Sequence, residues 1–339
     1  MNLPKVVFGT SSLGNLFVAL PDAVKCAIVE AYIKAVHGVA FFDTAGKYGA
    51  GLALESLGIC LRQLNVDKED VLISNKLGWV RTPLTTPEPT FEPGVWKGLQ
   101  YDAIQKISYD GILECYEQGN ELLGGYSVKH VSVHDPDEYL AAASSSSDQD
   151  KRYADILGAY AALNDLKLSG KVDTIGVGAK NWRSIERIDK DIKLDWVMIA
   201  NSMTVHSHPK ELLEFMRKLE RQGTRIINSA VFNAGFLTGG SFYNYREIDP
   251  DSSSGRELFQ WRNQFYEICE AFSLSPVAVG IKFGMAAPGV ISIALSTTNP
   301  ERISENMAFA EATIPDGFWQ QLHQESLITT EGLEMVMNK

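Results

Sequence analysis

Eight short runs of β-branched and aromatic residues recur along the chain, separated by stretches with the apolar spacing of helices. In order, they read KVVFGT, VAFFDT, VLISNK, HVSVHD, TIGVGA, WVMIAN, RIINSA and VISIAL. Strands that are apolar on both faces and alternate with helices are typical of a parallel sheet covered by helices. Eight such units predict a closed (β/α)8 barrel, with residues 1–339 forming one domain.

The composition excludes several classes of partner. The 339 residues carry a net charge of −11, whereas a nucleic-acid-binding protein is expected to present a basic face. No apolar run approaches the roughly 20 residues that span a bilayer, and the N-terminal segment lacks the features of a signal peptide. The expected partner is therefore a small molecule, with no nucleic acid and no membrane, and the chain is expected to be a monomer or a homo-oligomer.

The cysteines indicate a compartment. The four residues Cys26, Cys60, Cys115 and Cys269 lie far apart in the sequence and form no CxxC pair. Scattered thiols in a chain of this length are typical of reduced core residues, so a cytoplasmic location is expected.

Three connections after predicted strands are long. Residues 141–150, AAASSSSDQD, are interpreted as a solvated loop. Residues 77–107 carry Trp79 and Trp96, and residues 238–256 carry three further aromatic residues. The last two follow the carboxyl ends of strands, the rim where barrel enzymes place their sites, so these aromatic side chains are candidates for pocket walls.

Four polar residues of complementary chemistry fall at predicted strand ends. Asp43 ends the second strand and Tyr48 follows it, while Lys76 ends the third strand and His134 the fourth. A phenol, with a pKa near 10, exchanges protons poorly at neutral pH, but an adjacent ammonium favours the phenolate and a carboxylate holds that ammonium in place. A histidine beside the phenol can orient a carbonyl oxygen. These groups supply the proton part of a hydride transfer, so a nicotinamide cofactor is expected.

The motif FDTAGKYG resembles the FDTAxxYG motif of the aldo-keto reductase superfamily, and the resemblance extends over the whole chain. The stretches GTSSLGN, SYDGI and HDPD are similar to the aldose 1-dehydrogenase group, which includes L-fucose, L-galactose and pyridoxal dehydrogenases. This resemblance implies hydride transfer between NAD(P) and an aldose C1, giving a lactone, or another carbonyl. It also implies that Tyr48 is the general acid/base, that Lys76 and Asp43 tune it, and that His134 orients the substrate oxygen.

The resemblance also implies a set of cofactor-binding residues. The segment STTNPERISEN, residues 296–306, resembles the family segment that holds the adenosine end. The implied contacts are Thr10, Asp43, Gly178, Asn181, Ser229, Phe232, Asn233, Ser296, Thr297, Thr298, Arg302, Glu305 and Asn306. Ser296 stands where a lysine commonly pairs with the 2′-phosphate of NADP, whereas Arg302 could bind that phosphate, so NADP and NAD both remain open.

The nicotinamide end departs from the family pattern. Gly178 and Ala179 replace a common Ser-Asn pair, and Met198 replaces a common glutamine, so the usual contacts to the carboxamide are missing. Ser229 stands where an aromatic residue often stacks on the ring. Together with Trp79 and Trp96, His206 is a candidate for the substrate pocket, although its HSH segment is also compatible with a solvated loop.

Two alternatives compete with an aldose dehydrogenase. One is a general NADPH-dependent aldehyde or ketone reductase, and the other is a non-catalytic regulatory barrel that binds NAD(P). The residues His206 and His208 have no nearby cysteine or carboxylate in the sequence to complete a metal site, so no metal is expected.

Overall fold

The computed structural model of the protein describes residues 3–338. Each of the eight apolar runs contains one barrel strand: β1 (Val6–Gly9), β2 (Ala40–Ala45), β3 (Val71–Leu77), β6 (His130–His134), β7 (Thr174–Ala179), β8 (Trp196–Ala200), β9 (Arg225–Ser229) and β12 (Val290–Leu295). These strands close into a barrel in the order β1-β12-β9-β8-β7-β6-β3-β2, so the prediction of a (β/α)8 barrel is confirmed.

Twelve helices accompany the strands in the described residues. They are α1 (Asp22–Ala35), α2 (Leu52–Gln63), α3 (Tyr109–Leu123), α4 (Pro136–Ala141), α5 (Ser146–Leu168), α6 (Trp182–Asp191), α7 (Lys210–Gln222), α8 (Ser253–Ala271), α9 (Pro276–Ala286), α10 (Arg302–Glu311), α11 (Asp316–Gln324) and α12 (Thr330–Met337). Side-chain caps explain several of their starts. Ser108, Ser252 and Thr329 each accept a hydrogen bond from a first-turn amide of the helix that follows.

The interpretation of residues 141–150 as a solvated loop is wrong for their second half. Helix α5 begins at Ser146, because the Ser145 hydroxyl accepts a hydrogen bond from the Asp148 amide at 3.1 Å. In return, the Asp148 carboxylate accepts one from the Ser144 amide at 2.9 Å. The serine-rich composition, which suggested a solvated loop, instead supplies a helix cap.

Two of the long connections contain β-hairpins that the sequence analysis did not anticipate. In the first, β4 (Trp79–Pro83) pairs antiparallel with β5 (Tyr101–Gln105). In the second, β10 (Phe242–Tyr243) pairs with β11 (Arg246–Glu247). Backbone pairing therefore fixes parts of both connections, including the one that carries Trp79.

The expectation of four reduced thiols is wrong for two of the cysteines. Cys26 on α1 and Cys60 on α2 form a disulfide across 34 residues of sequence. Cys115 and Cys269 are free and buried, as core thiols are expected to be. The first pair escaped prediction because its proximity depends on the packing of two helices and not on sequence spacing.

The chain divides into two compact units. Unit 1 is Met1–Met198 with Ala294–Ser304, and unit 2 is Ile199–Ile293 with Glu305–Lys339. All four residues of the predicted catalytic set lie in unit 1. Within residues 3–338 no single helix is long and apolar enough to cross a membrane, although α8 and α9, bent by 100° at their junction, have that length and composition as a pair.

Candidate active site

The four predicted catalytic residues converge at one edge of unit 1. The parallel register pairs Ala45 with Lys76 and Lys76 with Ser132, which brings the carboxyl ends of β2, β3 and β6 to the same level. His134 ends β6, and Tyr48 lies in the turn between β2 and α2. The strand order therefore gathers residues that are far apart in the sequence.

Asp43 and Lys76 form a buried ion pair. The Lys76 ammonium contacts the Oδ2 atom of Asp43, and both side chains are 3% exposed. The Oδ1 atom of Asp43 accepts a hydrogen bond from Ser74 Oγ at 2.8 Å, so both carboxylate oxygens are engaged. Thr10, predicted to contact the cofactor, is fully buried and donates from Oγ1 to the Asp43 carbonyl at 3.1 Å. This network fixes the ammonium next to the tyrosine.

Tyr48 lies between this ammonium and a histidine. The Lys76 Nζ atom is 4.7 Å from the centre of the Tyr48 ring. The ring of His134 lies 5.6 Å from the Tyr48 ring, with the two planes at 85°. The turn itself is closed by a hydrogen bond from the Tyr48 amide to the Ala45 carbonyl at 3.0 Å. The structure thus brings the predicted acid, phenol, ammonium and imidazole together.

His134 is held in its neutral form. Burial lowers its pKa well below the usual value, and the ammonium groups of Lys76, Lys47 and Lys180 lower it further. Its Nδ1 atom has no hydrogen-bond partner among the described residues. Its Nε2 atom lies 3.6 Å from Asp135 Oδ2. A neutral imidazole has one N–H donor and one acceptor nitrogen, the form needed to orient a substrate oxygen.

Three hydroxyl groups gather at the predicted adenosine-binding segment in unit 1. Ser296 Oγ lies 3.3 Å from Ser11 Oγ and 3.3 Å from Ser12 Oγ. Thr297 Oγ1 instead accepts a hydrogen bond from the Asn299 amide at 3.1 Å and stabilises its own turn. Thr298 is exposed and Arg302 is exposed at the start of α10. Three adjacent hydroxyl groups, one of them in the segment that leads into α10, are a donor set suited to a phosphate.

The end of β7 offers few side chains to a nicotinamide carboxamide. A Cβ atom on Gly178 would lie 2.9 Å from Lys76 Cδ, so a larger residue there would displace the lysine. The side chain of Asn181 accepts a hydrogen bond from the Arg183 amide and caps α6. The backbone N–H of Asn181 donates a hydrogen bond to Asp137 Oδ2 at 2.8 Å. The other carboxylate oxygen of Asp137, Oδ1, is buried and has no partner among the described residues. Burial raises the pKa of Asp137 to about 6.

The remaining predicted cofactor residues lie in unit 2. Ser229 Oγ donates to the Ile199 carbonyl at 3.4 Å. The Asn233 side chain is fully buried, and its Nδ2 donates to the Asn201 carbonyl and to Asn244 Oδ1. Phe232 follows β9, whereas Glu305 and Asn306 lie on α10. Their assignment to the cofactor stays a prediction.

His206 belongs to an aromatic cluster in unit 2 and not to a solvated loop. Its Nδ1 atom lies 2.9 Å from the Tyr243 hydroxyl, and its ring is 4.7 Å from that of Trp261. Burial lowers its pKa to about 4. His208 accepts a hydrogen bond from the Thr329 amide at 3.0 Å, which gives it a structural partner. Residues 3–338 contain no group of three or more His, Cys, Asp or Glu side chains arranged to hold a metal ion.

The two tryptophans predicted to line the substrate pocket belong to the same aromatic cluster as Tyr48 in unit 1. The ring of Trp96 is 5.8 Å from the Tyr48 ring, and its Nε1 donates to Glu92 Oε2 at 2.7 Å. Trp79 belongs to the same cluster, with its ring 5.8 Å from Phe91. The long connection after β3 therefore delivers aromatic surface to the tyrosine.

Comparison with known proteins agrees with this geometry. The model of the aldo/keto reductase family matches residues 5–326. The chain belongs to this family. It is an NAD(P)-dependent oxidoreductase, because that is the chemistry of the family and of its dehydrogenase members.

The curated relatives of this aldo/keto reductase are dehydrogenases. Pyridoxal 4-dehydrogenase from Microbacterium luteolum is 26% identical over 336 residues, covering 95% of this chain and 93% of the relative. D-threo-aldose 1-dehydrogenase from a Pseudomonas species is 27% identical over 346 residues, covering 97% of this chain and 95% of the relative. These relatives agree with the resemblance to the aldose 1-dehydrogenase group.

Two solved structures have the same fold as this aldo/keto reductase. Glycerol dehydrogenase from Gluconobacter oxydans superimposes with a TM-score of 0.67 at 14% identity, covering 95% of this chain and 91% of that one. The holo form of an aldo-keto reductase from Bacillus halodurans superimposes with a TM-score of 0.66 at 16% identity, covering 96% of this chain and 92% of that one.

The structure adds a network of ion pairs next to Tyr48 in this aldo/keto reductase that the sequence did not predict. Lys47, directly before Tyr48, contacts Glu92, Asp135 and Glu138, and Lys180 contacts the last two. A lysine inside the tyrosine motif and two acids after His134 were visible in the sequence. Their pairing was not, because it joins loops far apart along the chain.

Proposed function

We propose that the protein is an NAD(P)-dependent dehydrogenase that oxidises C1 of an aldose to the lactone, or acts on a similar hydroxylated carbonyl compound. The observation that carries the proposal is the position of the buried Asp43–Lys76 ion pair, whose ammonium nitrogen lies 4.7 Å from the centre of the Tyr48 ring. The imidazole ring of His134 also contacts this Tyr48 ring. Phenol, ammonium, carboxylate and neutral imidazole together suit proton transfer at an oxygen bound to the reacting carbon.

Each residue has a distinct part in this chemistry. Tyr48 removes the substrate hydroxyl proton during oxidation and returns a proton during reduction. The Lys76 ammonium favours the phenolate, and Asp43 holds that ammonium in place. His134, neutral, orients the substrate oxygen by a hydrogen bond. A nicotinamide, when bound, would accept or supply the hydride.

The described residues of unit 1 fit a dinucleotide. The hydroxyl groups of Ser11, Ser12 and Ser296 form a donor set for a phosphate, and Arg302 adds a cation nearby in the sequence. After β6 in the same unit, Asp137 Oδ1 is a buried acceptor with no partner among the described residues, which suits the NH2 group of a carboxamide.

The substrate class is proposed from two considerations. The curated relatives are named for an aldose and for pyridoxal, both hydroxylated ring compounds with a reactive carbon. Trp79, partly exposed in the same aromatic cluster as Tyr48, provides flat apolar surface against which a sugar ring or an aromatic ring can pack, and the buried Trp96 supports Tyr48 from within the cluster.

The proposal is tested by following nicotinamide absorbance with purified protein. NAD and NADP are each offered with L-fucose, related aldoses and pyridoxal, and the reduced cofactors are offered with simple aldehydes. Oxidation of a sugar or of pyridoxal supports the proposal and identifies the cofactor. Reduction of simple aldehydes alone supports the general reductase. Cofactor binding without turnover in either direction supports the regulatory barrel.

The role of Tyr48 has its own test. Tyr48→Phe is expected to lower kcat by a factor of about 10² to 10⁴, the usual contribution of a general acid/base, while the affinity for the cofactor stays nearly unchanged. Cofactor affinity is measured by fluorescence titration. Tyr109→Phe serves as the control, because that exposed hydroxyl contacts Asp165 at 2.6 Å on α5. Undiminished turnover in Tyr48→Phe would contradict the mechanism.

A further inference from the structure

A single ammonium group connects three carboxylates beside the candidate active site. Lys47 Nζ lies 2.7 Å from Glu92 Oε1, 2.9 Å from Glu138 Oε2 and 3.4 Å from Asp135 Oδ2. The Lys47 side chain is only 4% exposed. Glu92 comes from the connection between β4 and β5, whereas the other two carboxylates follow β6. Lys47 thus joins the turn that carries Tyr48 to the connection between β4 and β5 and to the start of α4.

One branch of this network reaches the tryptophan that packs on Tyr48. The carboxylate of Glu92 uses Oε1 for Lys47 and Oε2 for Trp96 Nε1, each at 2.7 Å. Glu92 has a φ of 45°, in the left-handed region that a glutamate rarely adopts. This backbone conformation costs free energy, so other interactions must hold the residue there. The ion pair with Lys47 is one of them.

The second branch reaches the histidine. Asp135 Oδ2 lies 3.6 Å from His134 Nε2 and 3.4 Å from each of the two ammonium groups, Lys47 and Lys180. Glu138 takes the shorter contacts, at 2.9 Å from Lys47 and 2.5 Å from Lys180. Three carboxylates therefore face two ammonium groups, and the loss of Lys47 would leave three facing one.

We propose that Lys47 is a positioning residue of the active site: through Glu92 it holds Trp96 against Tyr48, and through Asp135 it controls the charge around His134. This inference rests on the proposed function. The Lys47 and Asp135 side chains are buried, whereas Glu92, Glu138 and Lys180 are partly exposed. Such an ion network contributes little net stability compared with apolar packing of similar volume, so its contacts with Trp96 and His134 favour a role in positioning.

The electrostatic part concerns the protonation of His134. The charged groups that face this imidazole are Lys76, Lys47, Lys180, Asp135 and Glu138, and Tyr48 is the titratable neighbour. Burial lowers the pKa of His134 most, followed by the three lysines, whereas Glu138 raises it. Loss of the Lys47 charge removes one of the ammonium groups that lower the pKa of His134. It also leaves the negative charges of Asp135 and Glu138 less neutralised, and these charges favour the protonated imidazole. The pKa of His134 is then expected to rise.

The test compares Lys47→Met, Lys47→Arg and a matched control, Lys25→Met. Lys25 is also a buried lysine of unit 1, at 2% exposed, but its partners are Asp22 and Ser56. In Lys47→Met, kcat is expected to fall by about 10 to 100-fold, because small displacements of reacting groups have effects of this size. The acidic limb of the kcat profile is expected to move to higher pH. Lys47→Arg is expected to restore most of kcat, and Lys25→Met to keep the wild-type profile.

Two further measurements keep the inference separable from the proposed function. NMR titration of 15N-labelled histidines in wild type and Lys47→Met follows His134 without any substrate, and a raised pKa in the variant is expected even if no substrate is found. Glu92→Gln tests the tryptophan branch should Lys47→Met fail to fold, and it is expected to raise KM for the substrate several-fold while the affinity for the cofactor is unchanged. An unshifted His134 titration together with wild-type kinetics in Glu92→Gln would overturn the proposal.

Discussion

Gly14 and Gly49 lie in direct backbone contact where β1 and β2 lead into their loops. A Cβ atom on Gly49 would lie 2.3 Å from the Gly14 carbonyl oxygen, and Gly49 has a φ of 62°. A Cβ on Gly14 would lie 2.8 Å from the Tyr48 carbonyl atoms. The glycine after the tyrosine is therefore required for close approach as well as for its backbone conformation. This contact sets the position of the turn that carries Tyr48.

Gly49→Ala is expected to reduce turnover at least tenfold and to lower stability by more than the ~1 kcal/mol of an unfavourable φ alone, because the turn must move away from Gly14. Gly170→Ala is the matched control, since Gly170 also has a positive φ, 72°, but a Cβ there would meet nothing within 4 Å. Both variants are compared by urea unfolding and by kcat. Equal effects in the two would show that the contact with Gly14 is unimportant.

Asp43→Asn is expected to destabilise the protein by about 3–5 kcal/mol, the usual cost of leaving a buried charge without its partner, here the Lys76 ammonium. Glu30→Gln is the control, because Glu30 pairs with Lys34 on the surface, where an ion pair contributes about 0–1 kcal/mol. The free energy of unfolding is measured in urea at neutral pH. Losses of similar size in both variants would contradict the burial argument.

Ser296→Lys is expected to raise the preference for NADP over NAD by about tenfold in kcat/KM, because an ammonium here would pair with a 2′-phosphate. The hydroxyl group of Ser296 lies within hydrogen-bond distance of the hydroxyl groups of Ser11 and Ser12, so residue 296 faces these two serines in unit 1. Steady-state kinetics with both cofactors check the change. Thr297→Ser is the control, because it keeps the hydroxyl that caps its own turn. An unchanged ratio would mean that residue 296 does not face the 2′-position.

Acidification is expected to destabilise the protein through buried histidines. Burial lowers the pKa of His130 to about 4, so below pH 6.5 the unfolded chain binds a proton that the folded chain does not. Stability is therefore lost as pH falls, by about 2 kcal/mol at pH 5 for this residue. His206, with a pKa of about 4, acts in the same direction. Asp137, whose pKa is raised to about 6, acts in the opposite direction.

His130→Gln is expected to remove about 2 kcal/mol of the stability difference between pH 7.5 and pH 5. Urea unfolding at both pH values measures it. His323→Gln is the control, since the partly exposed His323 on α11 has its Nε2 near Thr330 Oγ1. An unchanged pH dependence in His130→Gln would show that folding does not lower the pKa of this imidazole.

The sequence by itself determined the barrel and the four converging residues. Alternation of apolar runs with amphipathic stretches is a local property, and parallel strands bring their carboxyl ends to one rim, so Asp43, Tyr48, Lys76 and His134 could be placed together without coordinates. The same logic failed at Ser145 and Ser146, where a serine-rich composition resembled a loop but formed a helix cap.

Only the tertiary structure decided the groups that surround those four residues. Lys47 contacts Asp135 and Glu138 across 88 and 91 residues of sequence, and the Cys26–Cys60 disulfide spans 34. No periodicity encodes such pairs, because they depend on how loops and helices pack after the strands have assembled. Burial then decides the charge of His134, since removal from water favours the neutral imidazole and the neighbouring ammonium groups reinforce that preference.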